Sequence, residues 1–152
     1  MKIKNRKYKI IGNITLIIVF CLFIIPVIFF SQLPNEIPLH FGFHGSPDNY
    51  SSKNNIWLLP ILGLLFYVGS LKLEKIFLSE LSKKVNHQLI FMVKNLKILI
   101  LIIVVGFLYL TIQMILVALK ISEGLGSWFI YLFLFSVIIF PLSPLINRNK
   151  KI

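Results

Sequence analysis

His40, His44 and Asp48 stand four residues apart in turn. On a helix that spacing would line imidazole and carboxylate groups along one face, where they could hold a divalent cation. The stretch that carries them does not read as helix, because Pro34, Pro38, Gly42, Gly45 and Pro47 interrupt it. The helical zinc motif also places Glu directly after the first His, and here Phe41 follows His40. Two structural histidines and a turn-capping aspartate account for the same three residues without a ligand. The expectation is no metal and no cofactor, with His40, His44 and Asp48 as the one set that would overturn it.

Nucleophilic and acid–base chemistry finds fewer residues still. Cys21 is the single cysteine, midway along an apolar run and remote from all three histidines in the topology read below. Glu36 and Asp48 are the only acids in their loop and make no catalytic carboxylate pair. There is no Gly-rich phosphate loop and no Gly-x-Ser-x-Gly. The sequence reads as a non-enzyme.

The elements that must position these residues follow from composition. Of 152 residues 57% are hydrophobic, the mean hydropathy is +0.88, and the net charge is +11. A soluble domain is about 45–50% apolar, and one cysteine makes no disulfide scaffold. A basic chain this apolar partners a lipid bilayer, not a nucleic acid. Runs near the roughly 20 residues that cross a bilayer fall at 10–30, 56–71, 98–119 and 128–146. Pro26 is a candidate kink in the first, and Lys72 and Lys75 extend the short second by snorkelling. Pro141 and Pro144 loosen the end of the fourth. The first run exceeds the 7–15 residues of a signal-peptide core, so it reads as a retained helix. The fold class expected is all-α: one domain over 1–152, an integral-membrane four-helix bundle with an ordered loop between helices 1 and 2.

Charge sets the orientation. The N-terminal tail, segment 72–97 and the C-terminal tail hold fourteen Lys and Arg, whereas Lys53 and Lys120 stand alone in the other loops. By the positive-inside rule both termini are cytoplasmic. Trp57 and Trp128 then begin their spans at the outer face, where an interfacial aromatic belt would place them.

Segment 72–97 lacks Gly and Pro, which predicts helix on either side of a turn at 83–88. Glu80 and Lys84 stand at i, i+4 and can pair, and His87 is solvated. The six lysines of this segment serve topology and anionic lipid, or dock an acidic cytoplasmic partner. Gln113 is the clearest polar residue within a span and should bond a neighbouring helix. Thr111, Tyr109, Tyr67, Ser70 and Ser136 are milder. No charged residue lies near a span centre, which argues against a pump or secondary transporter. Gly63, Gly69 and Gly106 would let helices approach closely.

The outer loop, 31–55, is the richest stretch. Its prolines predict extended backbone around 37–41, and Ser46-Pro47-Asp48-Asn49 suits a type I turn, with Gly42 and Gly45 permitting positive φ nearby. Phe41, Phe43 and Tyr50 would pack this cap onto the bilayer or the helix ends. Leu33, Pro34, Ile37, Pro38, His40 and Phe41, then Gly45, Pro47 and Asp48, then Ser52 and Lys53, form a clustered pattern. It resembles the signature of the SdpI-like family of bacterial membrane proteins, with Leu59-Pro60 following it and the likeness covering 10–71. His44 falls outside the pattern. The resemblance implies a Gram-positive bacterial immunity protein against a secreted membrane-active peptide toxin, or a membrane sensor that holds a cytoplasmic repressor. Fuller members carry further helices beyond the four read here.

Overall fold

The structure, a computed structural model, describes residues 6–83 and 87–146. It is 73% helical. In chain order the elements are α1 (Arg6–Phe29), β1 (Glu36–Phe41), β2 (Pro47–Ser52), a 3-10 turn (Lys53–Trp57), α2 (Leu58–Lys83), α3 (His87–Ala118) and α4 (Ser127–Ile146). Among the described residues three stretches are long and apolar enough to cross a membrane: Tyr8–Phe29, Lys53–Phe77 and Asn95–Ala118. The described apolar part of α4, Ser127–Ile139, is shorter. Ile17, Phe20, Val27, Leu65 and Phe135 are each more than 60% exposed. Water would penalise such surface, at about 25 cal/mol per Å2, and lipid does not. The chain is a multi-pass helical membrane protein.

α3 is the axis against which the others pack. Its buried Ile100 and Val104 meet Val19 and Leu22 of α1. The approach of α1 to α2 runs through Gly63, where a Cβ would lie 2.8 Å from Leu22 Cδ1. α4 seats on α3 through Gly106, over which the Phe133 ring lies so closely that any Cβ would collide with it. Around that contact the rings form a ladder, with Phe129 centred 4.2 Å from Tyr109 and stacked on Phe133 at 5.6 Å. Gly69 has open space instead of a neighbour, so it mediates no close approach.

Hydroxyls within the helices satisfy themselves locally. Thr15 donates to Ile11 O and Thr111 to Phe107 O, both at 2.8 Å. Gln113 departs from expectation: its buried Oε1 has no hydrogen-bond partner, so it bonds no neighbouring helix through that atom. Helix α3 ends in a Schellman arrangement. Ile121 N–H donates to Leu116 O at 2.8 Å and Lys120 N–H to Val117 O at 3.0 Å, with Lys120 at φ 59°. The turn at 83–88 and the Glu80–Lys84 pair both involve Lys84, outside the described residues. Lys2, Lys4, Arg148, Lys150 and Lys151 lie outside them as well.

Candidate functional site

The loop between α1 and α2 folds into an antiparallel β-hairpin that caps one end of the bundle. Glu36 pairs with Ser52, Ile37 with Ser51 and Pro38 with Tyr50, and the register shifts beyond Pro38. Each strand has only one partner, so Pro38 and Pro47 cost no interior ladder bonds. The turn is Gly42-Phe43-His44-Gly45, not Ser46–Asn49 as the proline suggested. Gly45 N–H donates to Gly42 O at 2.8 Å, and Gly42 N–H to Ser46 O at 2.9 Å. This is a three-residue hairpin loop closed by a left-handed residue, and Gly45 at φ +83° supplies that conformation. Gly42 keeps a negative φ, since the positive-φ glycines among the described residues are Gly45 and Gly126.

The signature residues have separate tasks in this cap. Leu33 and Ile37 are buried and pack with Ile56 of the 3-10 turn and with Met114 and Ile115 at the end of α3. Pro38 is buried beside them, Phe41 is half-buried against the same cluster, and Pro34 is exposed. Ser52 caps the 3-10 turn, its Oγ accepting from Asn54 N–H at 3.4 Å. Lys53 N–H donates to Asn35 O at 2.9 Å and closes the base of the hairpin. Its ammonium reaches Leu33 O at 3.5 Å and lies 5.0 Å from the centre of the Phe30 ring. Lys53 is thus a staple between the hairpin and the end of α1, drawing on cation–π attraction.

His40 and Asp48 meet across the strands, Nδ1 to Oδ1 at 2.6 Å, with side chains 67% and 51% exposed. A carboxylate only accepts, so Nδ1 is the donor in this bond. Among the described residues no three His, Cys, Asp or Glu side chains gather as a metal site, and His44 stands apart in the turn. Pro47 opens β2 beside this pair. Phe43 and Tyr50 are 71% and 52% exposed, so they do not pack on the helix ends. The hairpin surface therefore offers carboxylates, an imidazole and two open aromatic rings.

The seat of the hairpin tip lies in the loop between α3 and α4. Gly45 O accepts from Leu125 N–H at 2.8 Å. A Cβ on Gly45 would come within 2.9 Å of Gly126 backbone atoms, and a Cβ on Gly124 would strike the Gly45 carbonyl. Three glycines thus let two loops touch backbone to backbone. Tyr109 fixes the seat from below, donating its hydroxyl to Leu125 O at 2.8 Å. The sequence reading singled out Gly45 alone. The nearby Gly124-Leu125-Gly126 was the available signal, since two glycines flanking one apolar residue in a short loop mark a close backbone approach.

Residues 17–64 match the sequence model of a domain of unknown function, DUF1648. The matched stretch runs from within α1 through the whole hairpin into α2. A protein of Archaeoglobus fulgidus described as uncharacterized is 36% identical over 52 residues, which is 34% of this chain and 28% of that protein. The chain therefore covers under a third of that relative's length. No solved structure matches the chain.

Proposed function

We propose that the chain is a multi-pass cell-membrane protein with both termini cytoplasmic, and that its hairpin is an outer-face cap which intercepts a membrane-active peptide toxin, as in SdpI-like immunity proteins. The observation that carries this reading is where the DUF1648 match falls. It centres on the hairpin, the one pair of β-strands among the described residues. The exposed Phe43 and Tyr50, with Asp48 and Glu36 exposed on the same hairpin, supply apolar contact and negative charge for a cationic amphipathic peptide. No step of this reading needs a cofactor or bond-breaking chemistry, so the protein acts as a binder rather than an enzyme.

Expression of the chain in a sensitive bacterium, followed by challenge with peptide toxins encoded beside its gene, tests the proposal. Protection that fails when Phe43 and Tyr50 become Ala is expected. Equal killing with and without the chain would end the reading. Orientation is tested apart from function, through Cys21→Ser carrying one new cysteine. Asn49→Cys should react with a membrane-impermeant maleimide added to intact cells, and Lys75→Cys should react only after lysis.

The alternative, a sensor that holds a cytoplasmic repressor on segment 72–97, draws on Lys72 and Lys75, both exposed. Lys97 is engaged with Glu74 at 2.9 Å, which removes one of the six charges from such a surface.

A further inference from the structure

β2 has one strand partner, β1, and its other edge is open. The two strands differ in their surroundings. β1 carries the buried Ile37 and Pro38, and its apolar side packs on the end of α3. In β2, Asp48, Asn49, Tyr50 and Ser52 are all exposed. An open strand edge presents N–H and C=O groups that template the pairing of another chain. Strands that avoid such pairing place Lys or Pro along the edge. β2 holds no Lys, and its Pro47 stands at the first position, where it blocks nothing further along.

The ladder fixes which groups face outward. Lys53 N–H donates to Asn35 O at 2.9 Å, and the register runs evenly from there through Glu36–Ser52 and Ile37–Ser51 to Pro38–Tyr50. In an antiparallel pair, residues that exchange bonds with the partner strand alternate with residues that do not. Ser51 and Lys53 therefore aim their backbone groups at β1, and Tyr50 and Ser52 aim theirs away. Pro38 agrees with this phase, since it has no N–H and stands opposite Tyr50, where none is required. Tyr50 N–H, Tyr50 C=O and Ser52 N–H make no other backbone bond among the described residues.

Charge selects the occupant. Asp48 lies toward one end of β2, its side chain 51% exposed, and the exposed Glu36 lies opposite Ser52 at the other end. The ammonium of Lys53 is engaged by Leu33 O and the Phe30 ring, so it does not offset these acids at the edge. A second copy paired about a two-fold at Tyr50 would set Asp48 opposite Ser52 of that copy, beside its Glu36, and like charges would meet. A cationic strand meets no such conflict. We propose that β2 receives an extended segment of a cationic, apolar peptide as a third strand. The backbone of Tyr50 and Ser52 bonds its main chain, Asp48 and Glu36 draw its Lys or Arg, and the Tyr50 ring covers an apolar side chain. This assigns a binding mode to the toxin cap proposed above and rests on that reading. Strand addition takes its affinity from the main chain, so such a cap recognises a class of peptides rather than one sequence.

The probe is a fluorescein-labelled heptapeptide of alternating Lys and Val, titrated by anisotropy onto the full chain in phosphatidylcholine nanodiscs, a bilayer without net charge. The wild type should bind it, and should bind both a fully backbone-N-methylated version and a version with Glu for each Lys about tenfold more weakly. Tyr50→Ala removes the ring and keeps the N–H. Tyr50→Pro removes the outward N–H as well, without costing the hairpin a bond, and should bind about tenfold more weakly than Tyr50→Ala. Circular dichroism and elution volume confirm which variants stay folded, and the methylated peptide probes the edge without any variant. Three results would overturn the assignment: no binding by the wild type, equal binding of the methylated or the acidic peptide, or a folded Tyr50→Pro protein that matches Tyr50→Ala. A dimer that forms without peptide and that Tyr50→Pro dissociates would also overturn it, by seating a second copy on β2. The cap reading fails separately. Killing unaffected by the chain ends the cap, whereas toxin protection that Tyr50→Ala and Tyr50→Pro lower equally keeps the cap and ends the strand addition.

Discussion

Replacing Gly45 by Ala should detach the hairpin tip from its seat. Two costs add at this position. The backbone sits at φ +83°, where a Cβ meets its own chain, and the left-handed region costs an ordinary residue about 1–2 kcal/mol. The new methyl would also lie 2.9 Å from Gly126 backbone atoms, so the loops must separate. Separation gives up the Leu125 N–H to Gly45 O bond, for about another 1 kcal/mol. The expected loss is therefore about 2–3 kcal/mol. It should register in reversible unfolding by SDS in mixed micelles, followed by tryptophan fluorescence. Trp128 is a built-in reporter, because its indole lies over Gly126 and responds when the seat opens. Gly42→Ala is the internal control: φ there is negative, and the nearest atom to its Cβ is the movable Asp48 Oδ2 at 3.2 Å. A Gly45→Ala protein within about 0.5 kcal/mol of wild type, or one no worse than Gly42→Ala, would refute the backbone-on-backbone seat, since half a kilocalorie is the scatter of neutral surface changes.

Further outcomes follow from the same contacts. Ile37→Ala empties a fully buried site between hairpin and α3 and should cost about 2–4 kcal/mol in the same unfolding assay. Lys120→Gly relieves a left-handed residue at the end of α3 and should raise stability by about 1 kcal/mol, readable as a shift of the unfolding midpoint. Tyr109→Phe keeps the ring ladder but loses the bond to Leu125 O, for about 1 kcal/mol. Asp48→Asn breaks an exposed pair and should change stability by less than about 1 kcal/mol. A strong effect of Asp48→Asn on toxin protection without loss of stability would then mark recognition rather than folding.

Helix and membrane character were open to sequence reading because both depend on local quantities. Long apolar runs such as 98–119 can satisfy their backbone in lipid only as helix, and α3 covers that run up to Ala118. The extended backbone of β1 was visible in Pro34 and Pro38 for a similar reason, since each proline restricts its own φ and its predecessor. The turn lies four residues before the expected Ser46–Asn49 because two rival signals stand side by side. Pro47 favours a turn one residue after Ser46, but only Gly45 can take the left-handed conformation that matches the twist of the strands. Gln113 reads as a helix-bonding residue by its chemistry alone, and what its buried Oε1 meets, which is no partner, depends on the packing.

The sequence by itself determined that this is a multi-pass helical membrane protein with a proline-shaped cap, because hydropathy and backbone restriction are properties of short stretches. The tertiary structure decided what the cap rests on and what the far end contains. Gly45 and Gly124 are separated by the whole of α2 and α3, and Glu74 and Lys97 stand on different helices. Each of these contacts pairs groups whose neighbourhood no local window contains. It took the packing of α1, α2 and α4 around α3 to bring Gly45 O within 2.8 Å of Leu125 N and Glu74 within 2.9 Å of Lys97.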